Sequence, residues 1–266
     1  CGGFAIFISF WVAALAMNWP PREVTLGILG GSLILLVICF IDDWRGLDPL
    51  PRLGAQIGIA GLTYWWGVRV IGFTNPLSSF IGPEYLFLGY WSAPVTIIWI
   101  VFITNAVNWL DGIDGLAAGI SGIGALTLAA IAVFSGKVEI AIAAAALAGS
   151  AFGFLRSNFS PARVFMGDVG AMFLGYILAC LAVMGAVKGP TALVLVVPVL
   201  VLGLPIYDSA ATILKRLLAG RPIYKPDRAH LHHQLMDKGL SVRETVLLMY
   251  GITGLLCMLA LGVWVR

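Results

Sequence analysis

Residues 92–115 have the sequence SAPVTIIWIVFITNAVNWLDGIDG, and this stretch decides the fold. Residues 85–110 contain no charged side chain, so we predict that their helix lies in lipid. Asn108, Asp111 and Asp114 follow at steps of three, which keeps them on one broad face of a helix. Acids at the end of a membrane helix are costly unless they have a function. Their side-chain oxygens suit the binding of a hard cation and of phosphate groups bound to that cation. The simpler alternative is that the three polar residues only form the solvated end of the helix.

The composition of the whole chain is that of an integral membrane protein. Of its 266 residues, 60% are hydrophobic and 11% are charged, and the mean hydropathy is +0.98. Soluble domains of this length are far less apolar. We predict an all-α, polytopic helical bundle that forms a single transmembrane domain over residues 1–266. About nine apolar segments are long enough to span a bilayer, near 4–19, 24–41, 54–72, 92–109, 116–135, 138–155, 168–187, 191–214 and 244–265.

The ends of the chain and its cysteines carry less information. Cys1 leads straight into an apolar run and Arg266 directly follows another, so we expect a polypeptide truncated at both ends. A lipoprotein that starts with Cys is the alternative that we disfavour.

Cys39, Cys180 and Cys257 lie inside apolar runs without metal or disulfide spacing, which indicates small core residues. The net charge of +3 is too small to indicate nucleic-acid binding.

The lysines and arginines predict the orientation in the membrane. When the nine segments are threaded alternately, eleven basic residues fall on one side and five on the other. The richer side is expected to face the cytoplasm. The candidate polar residues all fall at that face: Asp42, Asp43, Asn108, Asp111, Asp114, Asn158, Asp168 and residues 230–233. Convergence of polar residues that are far apart in sequence favours a functional site over solvated loops.

Two further acidic motifs have both a functional and a structural interpretation. Adjacent Asp42 and Asp43 end an apolar run, where they suit a Mg²⁺–phosphate site or a general base. A local ion pair with Arg45 is the alternative. Asp168 follows the polar loop that starts at Arg156. It would lie in the first turn of the next helix, where the helix dipole also favours a carboxylate.

The loop between Lys215 and Arg243 is basic and contains His230, His232 and His233. Their spacing does not match that of a zinc site, and no cysteine joins them. Imidazoles among lysines and arginines are better suited to binding a nucleotide diphosphate.

Three other features have less specific interpretations. Asp208, which follows Pro205 near the end of a predicted span, fits either helix packing or function. The motifs Gly115-x-x-x-Gly119 and Gly149-x-x-x-Gly153 predict close helix contacts. The glycine-rich stretch 112–124 is not a dinucleotide fingerprint, because no strand precedes it.

Four motifs together resemble the polyprenyl-phosphate N-acetylhexosamine-1-phosphate transferases, glycosyltransferase family 4. They are Phe40-Ile-Asp-Asp43, Asn105-Ala-Val-Asn-Trp-Leu-Asp-Gly-Ile-Asp-Gly-Leu-Ala-Ala-Gly119, Asn158-x-x-Pro-Ala-x-Val-Phe-Met-Gly-Asp168 and His230-Leu-His-His233. They occur in order over essentially the whole chain. His-Leu-His-His followed by Lys238-Gly-Leu-Ser-Val-Arg243 is similar to the branch that uses UDP-N-acetylglucosamine. The three consecutive histidines after a proline, usual in the peptidoglycan branch, are absent from this sequence.

The resemblance implies an enzyme that moves N-acetylglucosamine 1-phosphate from UDP-N-acetylglucosamine to undecaprenyl phosphate and releases UMP. It implies Mg²⁺ as the cofactor, with Mn²⁺ as a substitute. Asp168 would be the first metal ligand, Asp111 and Asp114 would hold metal or nucleotide, and Asp42 and Asp43 would position or deprotonate the lipid phosphate. The substrate-binding residues would be Asn108, Asn158, Arg228, His230, His232 and His233. A mechanism in which an Asp is the covalent nucleophile stays open.

The resemblance also implies ten or eleven helices in the bacterial inner membrane, with the active site on the cytoplasmic face, and it allows a homodimer. The family has a helix and a Pro-Arg-Gly-Gly-like entry before the first span, of which only Gly2-Gly3 occur here.

Within the family, the alternative is the phospho-N-acetylmuramoyl-pentapeptide transferase. Outside it, the alternative is a cation-coupled secondary transporter, whose acids would lie near the bilayer midplane. A purely structural membrane protein would not need so many costly carboxylates.

Overall fold

The structure, a computed structural model, describes residues 2–17, 19, 22–74, 85–186, 196–220 and 230–264. Within these ranges the chain is almost entirely helical. The helices are α1 (Gly2–Ala16), α2 (Arg22–Arg45), α3 (Pro49–Trp65), α4 (Ser92–Leu110), α5 (Leu116–Phe134), α6 (Val138–Asn158), α7 (Gly167–Ala186), α8 (Val196–Val201), α9 (Gly203–Leu218), α10 (Leu231–Asp237) and α11 (Val242–Trp264). Strands β1 (Gly72–Thr74) and β2 (Tyr85–Phe87) pair antiparallel, and a 3₁₀ turn at Gly89–Trp91 leads into α4. The predicted polytopic helical fold is confirmed, with this short ladder as an addition.

Six helices of the described part are long and apolar enough to cross a membrane. They are Glu23–Arg45, Gly89–Leu110, Leu116–Phe134, Val138–Asn158, Gly167–Gly185 and Val242–Trp264. The first helix, α1, is apolar but has only 15 residues, and α3 has 17. The prediction of about nine spans agrees with the structure for these six segments, and the other three are shorter or interrupted.

The helix α7 lies at the centre of the bundle, packed against α1, α2, α4, α5 and α6. A helix that is buried on every side is apolar on every side, and the one charged residue of α7 is Asp168 in its first turn. Gly175 allows a close approach to α4, because a Cβ at this position would lie 2.8 Å from the Cα of Thr104. This packing brings the start of α7, with Asp168, to the end of α4.

The close contacts predicted at the glycine motifs are correct for one motif and wrong for the other. A Cβ at Gly119 on α5 would lie 2.0 Å from the ring of Tyr250 on α11, so these helices meet closely there. Gly149 and Gly153 on α6 have no described atom within 4 Å of such a Cβ. The buried face of α6 consists mainly of alanine, and the two glycines lie outside it, along a groove beside α1.

The eighth predicted span, near 191–214, is wrong as a single helix. Its described part breaks at Leu202 into α8 and α9, and residues 187–195 lie outside the described ranges. Pro205 has no N–H to donate to the carbonyl of Val201, so a continuous helix would lose a hydrogen bond at this point.

The helix α9 has its polar residues inside the bundle and its apolar residues outside. The buried polar residues recur at steps of about four: Asp208, Ser209, Thr212 and Arg216. The exposed apolar residues lie on the other face: Tyr207, Leu214, Leu217 and Leu218. This pattern fits an outer face in contact with lipid and an inner face directed to a polar site.

The third predicted span, near 54–72, is displaced along the chain. The helix begins at Pro49 and ends at Trp65. Proline suits the first turn of a helix, where its missing N–H has no partner to lose. The earlier start places Arg52 on the helix and not in the loop before it.

Candidate active site

The predicted polar motifs converge at one end of the bundle, where α2 and α4 end and α3 and α7 begin. Asp168 lies at the centre of this end, and its two carboxylate oxygens accept hydrogen bonds from different helices. Asn108 Nδ2 donates to Oδ1 at 2.9 Å, and Arg52 Nη1 donates to Oδ2 at 2.8 Å. The structure thus joins Asn108 and Asp168, which are 60 residues apart in the chain.

Arg52 connects Asp168 to Asp42. The same Nη1 atom donates to Asp42 Oδ2 at 2.7 Å, and Asp42 Oδ1 accepts a hydrogen bond from the backbone N–H of Leu47 at 2.7 Å. The side chain of Asp42 is 8% exposed and that of Asp168 is 32% exposed, so solvent screens this arrangement only partly. The guanidinium offsets the repulsion that would otherwise separate the two carboxylates.

The other three acids of the site have different surroundings. Asp43 is exposed and accepts a hydrogen bond from the backbone of Asp168. Asp114 Oδ2 accepts a hydrogen bond from the N–H of Ala162 at 3.0 Å. The carboxyl of Asp111 has no hydrogen bond or ion pair within the described ranges. Burial, followed by the negative charges of Asp168, Asp114 and Asp43, raises the pKa of Asp111 to about 7.

This acidic cluster offers oxygen atoms to a hard cation but is not a closed set of ligands. Among the described residues, no three His, Cys, Asp or Glu side chains are grouped as a metal site. Asp42 and Asp168 are bound to Arg52, with which a metal ion would compete. The pKa of Asp111 is raised first by burial and then by the neighbouring carboxylates, and a divalent cation would offset both because it favours the charged form of the carboxyl. The carboxylates present therefore fit a cation such as Mg²⁺.

Asn158 joins the two loops that border the acidic cluster. Its Oδ1 accepts a hydrogen bond from Gly115 N–H at 3.0 Å, and its Nδ2 donates to the carbonyl of Val164 at 3.0 Å. Gly115 has a φ of +82°, which lets the chain turn from α4 into α5. Tyr250 on α11 donates to the carbonyl of the same glycine. Each end of the Asn158 amide binds a backbone group inside the protein, so the structure shows a positioning role, and the predicted substrate contact stays a prediction.

The histidines pack beside the end of α4. His230 Nδ1 lies 2.9 Å from Asp208 Oδ2, and the His230 ring lies 5.9 Å from that of Trp109. His232 stacks on His230 with 5.8 Å between ring centroids. Neither nitrogen of His232 has a hydrogen-bond partner among the described residues. Burial and, next, the charge of His233 lower the pKa of His232 to about 4. At neutral pH His232 is therefore uncharged and has two unused polar atoms.

These groups line a cavity of about 680 Å³ between α3, α4 and α9. Its polar lining residues are Arg52, Gln56, Asn105, Asn108, Asp168, Thr212, Arg216, His230, His232 and His233. Its apolar lining includes Leu53, Ile57, Ile97, Ile98, Val101, Phe102 and Ile213. Gly112 also borders it, and a Cβ at this position would lie 2.5 Å from His232 Nε2. The absence of a side chain at Gly112 therefore lets the His232 ring lie against the turn after α4.

The predicted site residues fall into four groups with respect to this cavity. Five of them line it: Asn108, Asp168, His230, His232 and His233. Asp42 is linked to it through Arg52, whereas the side chains of Asp43, Asp111, Asp114 and Asn158 lie around its acidic end without lining it. Arg228 lies outside the described residues, as do Arg221 and Lys225 of the same basic loop.

The sequence interpretation missed several polar residues of the site. Arg52 was only part of the charge count, and Gln56, Asn105 and Arg216 had no proposed role. Asn105 Nδ2 donates to Gln56 Oε1 at 2.6 Å, which ties α4 to α3 one turn deeper than Arg52. The available signal was the spacing of polar residues at steps of about four in otherwise apolar helices, as in Arg52 and Gln56.

Comparison with known proteins agrees with this architecture. The sequence profile of "Glycosyl transferase family 4" matches residues 25–186. A Bacillus subtilis protein named "Probable undecaprenyl-phosphate N-acetylglucosaminyl 1-phosphate transferase" is 39% identical over 249 residues, which are 94% of this chain and 68% of that protein. A Mycobacterium leprae decaprenyl-phosphate N-acetylglucosaminephosphotransferase is 34% identical over 271 residues, with 92% and 66% of the two chains covered.

A member of the peptidoglycan branch is more distant. The phospho-N-acetylmuramoyl-pentapeptide-transferase of Desulfitobacterium hafniense is 33% identical over 279 residues, covering 96% of this chain and 80% of that protein. The chain spans about two thirds of the length of the Bacillus and Mycobacterium relatives.

Proposed function

Because the chain belongs to glycosyl transferase family 4, we propose that it transfers N-acetylglucosamine 1-phosphate from UDP-N-acetylglucosamine to undecaprenyl phosphate and releases UMP. The names of the Bacillus and Mycobacterium relatives support this sugar and a polyprenyl phosphate acceptor. The His-Leu-His-His motif and the Lys238–Arg243 continuation support the same donor.

The observation that carries the proposal is the composition of the cavity. Its acidic end holds Asp168 and Asn108, its α9 side holds Arg216 and the histidines, and the rest of the wall is aliphatic or aromatic. A sugar nucleotide has an anionic diphosphate, and a prenyl phosphate has an anionic head on an apolar chain. A cavity that is polar at one end and apolar along α3 and α4 is suited to hold both.

The reaction is a displacement at phosphorus between two anions. A phosphate monoester has a second pKa near 6, so at pH 7 the lipid phosphate is largely the nucleophilic dianion. One of its oxygens forms a bond to the β-phosphorus of the donor. The bond from that phosphorus to the bridging oxygen breaks, and UMP leaves with the electron pair. We assign Arg52 and Arg216 to holding the two anions in line against their repulsion. A two-step route, in which an Asp attacks first, would use the same cavity.

We propose Mg²⁺ as the cofactor, with Mn²⁺ as a substitute, held by Asp168 and Asp111. When bound, such an ion neutralises phosphate charge and stabilises the leaving UMP. Asp42 and Asp43 would position the lipid phosphate at the acidic end. Asp114, through Ala162 N–H, would keep the loop before α7 in place.

The donor is tested with membranes that contain the protein, undecaprenyl phosphate and one radiolabelled donor at a time. We expect labelled lipid from UDP-N-acetylglucosamine, and no label from UDP-N-acetylmuramoyl-pentapeptide. Label from the pentapeptide donor alone would place the chain in the peptidoglycan branch. Absence of transfer from every UDP-N-acetylhexosamine would contradict the proposed function.

We also propose that the site faces the cytoplasm of a bacterial inner membrane, in keeping with the distribution of basic residues. A cation-coupled transporter fits less well, since Asp42, Asp111 and Asp168 lie at helix ends and transporter sites lie near the midplane. That the enzyme works as a homodimer stays a prediction.

A further inference from the structure

Asp208 is a carboxylate buried inside the bundle, and its two oxygens bind two consecutive residues of the histidine motif. It is 3% exposed and lies on the inner face of α9. Its Oδ1 accepts a hydrogen bond from the backbone N–H of Leu231 at 2.6 Å, and its Oδ2 lies 2.9 Å from His230 Nδ1. A buried carboxylate is tolerated only when it is paired in this way.

The two contacts fix different features. Leu231 is the first residue of α10, and no side chain of that helix's own N-cap residue, His230, binds its N-terminal N–H groups. The Asp208 Oδ1 contact therefore fixes where α10 begins. The Oδ2 contact requires Nδ1 of His230 to carry the proton, which leaves the Nε2 lone pair to accept a hydrogen bond from an O–H or N–H group of a ligand.

The orientation of His230 affects the neighbouring ring as well. His230 lies beside Trp109, and His232 stacks on it with only 6° between the ring planes. Both histidines line the cavity, whereas Asp208 does not. Asp208 therefore acts on the cavity through the histidines and keeps its own negative charge away from an anionic ligand.

We propose that Asp208 is a positioning residue for the nucleoside diphosphate sugar: it fixes the tautomer and the orientation of His230 and, through the stacked rings, the placement of His232. This inference rests on the proposed donor-binding role of the histidines. It assigns no contact between Asp208 and the donor.

The decisive variant is Asp208→Asn in the membrane-embedded protein. The amide oxygen can still accept the Leu231 N–H bond, so α10 keeps its start. The amide N–H₂ would face His230 Nδ1 and favour the tautomer in which the proton is on Nε2. We expect the KM for UDP-N-acetylglucosamine to rise at least about tenfold, which is about 1.4 kcal/mol of binding free energy. The KM for undecaprenyl phosphate should change less than threefold.

A second readout does not depend on catalysis. The chain has three histidines, so ¹⁵N-histidine labelling gives three imidazole signals, and His230→Gln identifies one of them. At pH 8, where an ordinary imidazole is neutral, we expect the Nδ1 of His230 to be protonated in the wild type and unprotonated in Asp208→Asn.

Three comparisons complete the test. Ser209→Ala is the matched control, because Ser209 Oγ is equally buried on α9 and has no partner among the described residues; its kinetics should equal those of the wild type. Asp208→Glu keeps the carboxylate and should restore donor KM to within about threefold. In a His230→Ala background, Asp208→Asn should have little further effect on donor KM, because the two residues act as a unit.

An unchanged His230 signal or an unchanged donor KM in Asp208→Asn would overturn the inference, and so would an equal defect in Ser209→Ala. In these cases the wild type would still transfer the sugar phosphate, and the proposed function would stand. If the wild type transfers no UDP-sugar, the donor role is wrong, whatever the ¹⁵N signals show.

Discussion

Arg52 and Asp168, which are 116 residues apart in the chain, are joined by a 2.8 Å ion pair at the polar end of the bundle. The pair connects the start of α3 to the start of the central helix α7. Because Asp42 on α2 binds the same guanidinium nitrogen, one arginine holds three helices at this point. Two carboxylates, those of Asp42 and Asp168, bind this one guanidinium, and a permanent cation offsets their mutual repulsion.

Removal of this cation should reduce activity strongly. In Arg52→Ala, Asp42 and Asp168 lose a charge-assisted contact worth about 1.5–3 kcal/mol, and the anionic substrates lose a cation of the cavity. We expect kcat/KM to fall about 100-fold, and Arg52→Lys to recover part of it. Arg45→Ala removes an exposed arginine from the end of α2 and is the matched control. Equal rates for Arg52→Ala and Arg45→Ala would contradict a role for Arg52.

Asp168→Asn should abolish turnover while the protein still inserts and folds. The amide keeps the shape that Asn108 and Arg52 contact, but it removes the charge that a divalent cation needs. We expect at least about a 1000-fold loss of transfer, as for removal of an essential electrostatic group, measured with titrated Mg²⁺. Asp48→Asn, at an exposed acid before α3, should behave as the wild type. Near-normal rates of Asp168→Asn at saturating Mg²⁺ would refute the metal assignment.

Asn158→Ala should destabilise the protein more than it weakens substrate binding. It leaves the buried Gly115 N–H without its partner, at about 1–3 kcal/mol, and it also removes the part-buried hydrogen bond to the Val164 carbonyl. We expect a lower thermal midpoint in detergent, followed by tryptophan fluorescence. Ser157→Ala, at the exposed neighbouring position, should leave the midpoint unchanged. A normal midpoint together with a raised donor KM would instead support the substrate contact predicted from the sequence.

His232 should make stability depend on pH in a defined window. Its pKa in the folded protein, about 4, lies below the ordinary value of 6.5, so the unfolded chain binds a proton that the folded chain excludes. The free energy of unfolding should therefore rise from pH 4 to pH 6.5 and level off above it. His232→Gln, which cannot titrate, should flatten this rise in the thermal midpoint. If the rise persists in full, another group is responsible for it.

The polar end of the bundle should be accessible from one side of the membrane only. Trp44→Cys and Tyr90→Cys introduce thiols at exposed positions near opposite ends of the bundle, in the last turn of α2 and just before α4. The cysteines at 39, 180 and 257 are buried and should give little background. In oriented vesicles, a membrane-impermeant maleimide should label Trp44→Cys from the cytoplasmic side and Tyr90→Cys from the other. The reverse pattern would invert the proposed orientation.

The sequence by itself determined the class of the fold and identified most of the residues that form the candidate site. Length and apolarity decide whether a helix can lie in lipid, and these are local properties of a segment. The motifs at 42–43, 105–119, 158–168 and 230–233 combine residue types that phosphate chemistry requires. When successive apolar segments are assumed to cross the membrane in alternating directions, these motifs all fall at one end of the bundle, and this assignment needs no knowledge of how the helices pack.

Only the tertiary structure decided what each polar residue does there. Arg52 and Asp208 occupy positions where a local pattern allows a topogenic charge or a packing residue. Their roles depend on partners 116 and 22 residues away. Likewise, Asn158 is part of a highly specific motif, but its amide is used by two backbone groups. A hydrogen bond needs its donor and acceptor about 3 Å apart, so the role of a polar side chain follows from which neighbours the fold places within that distance.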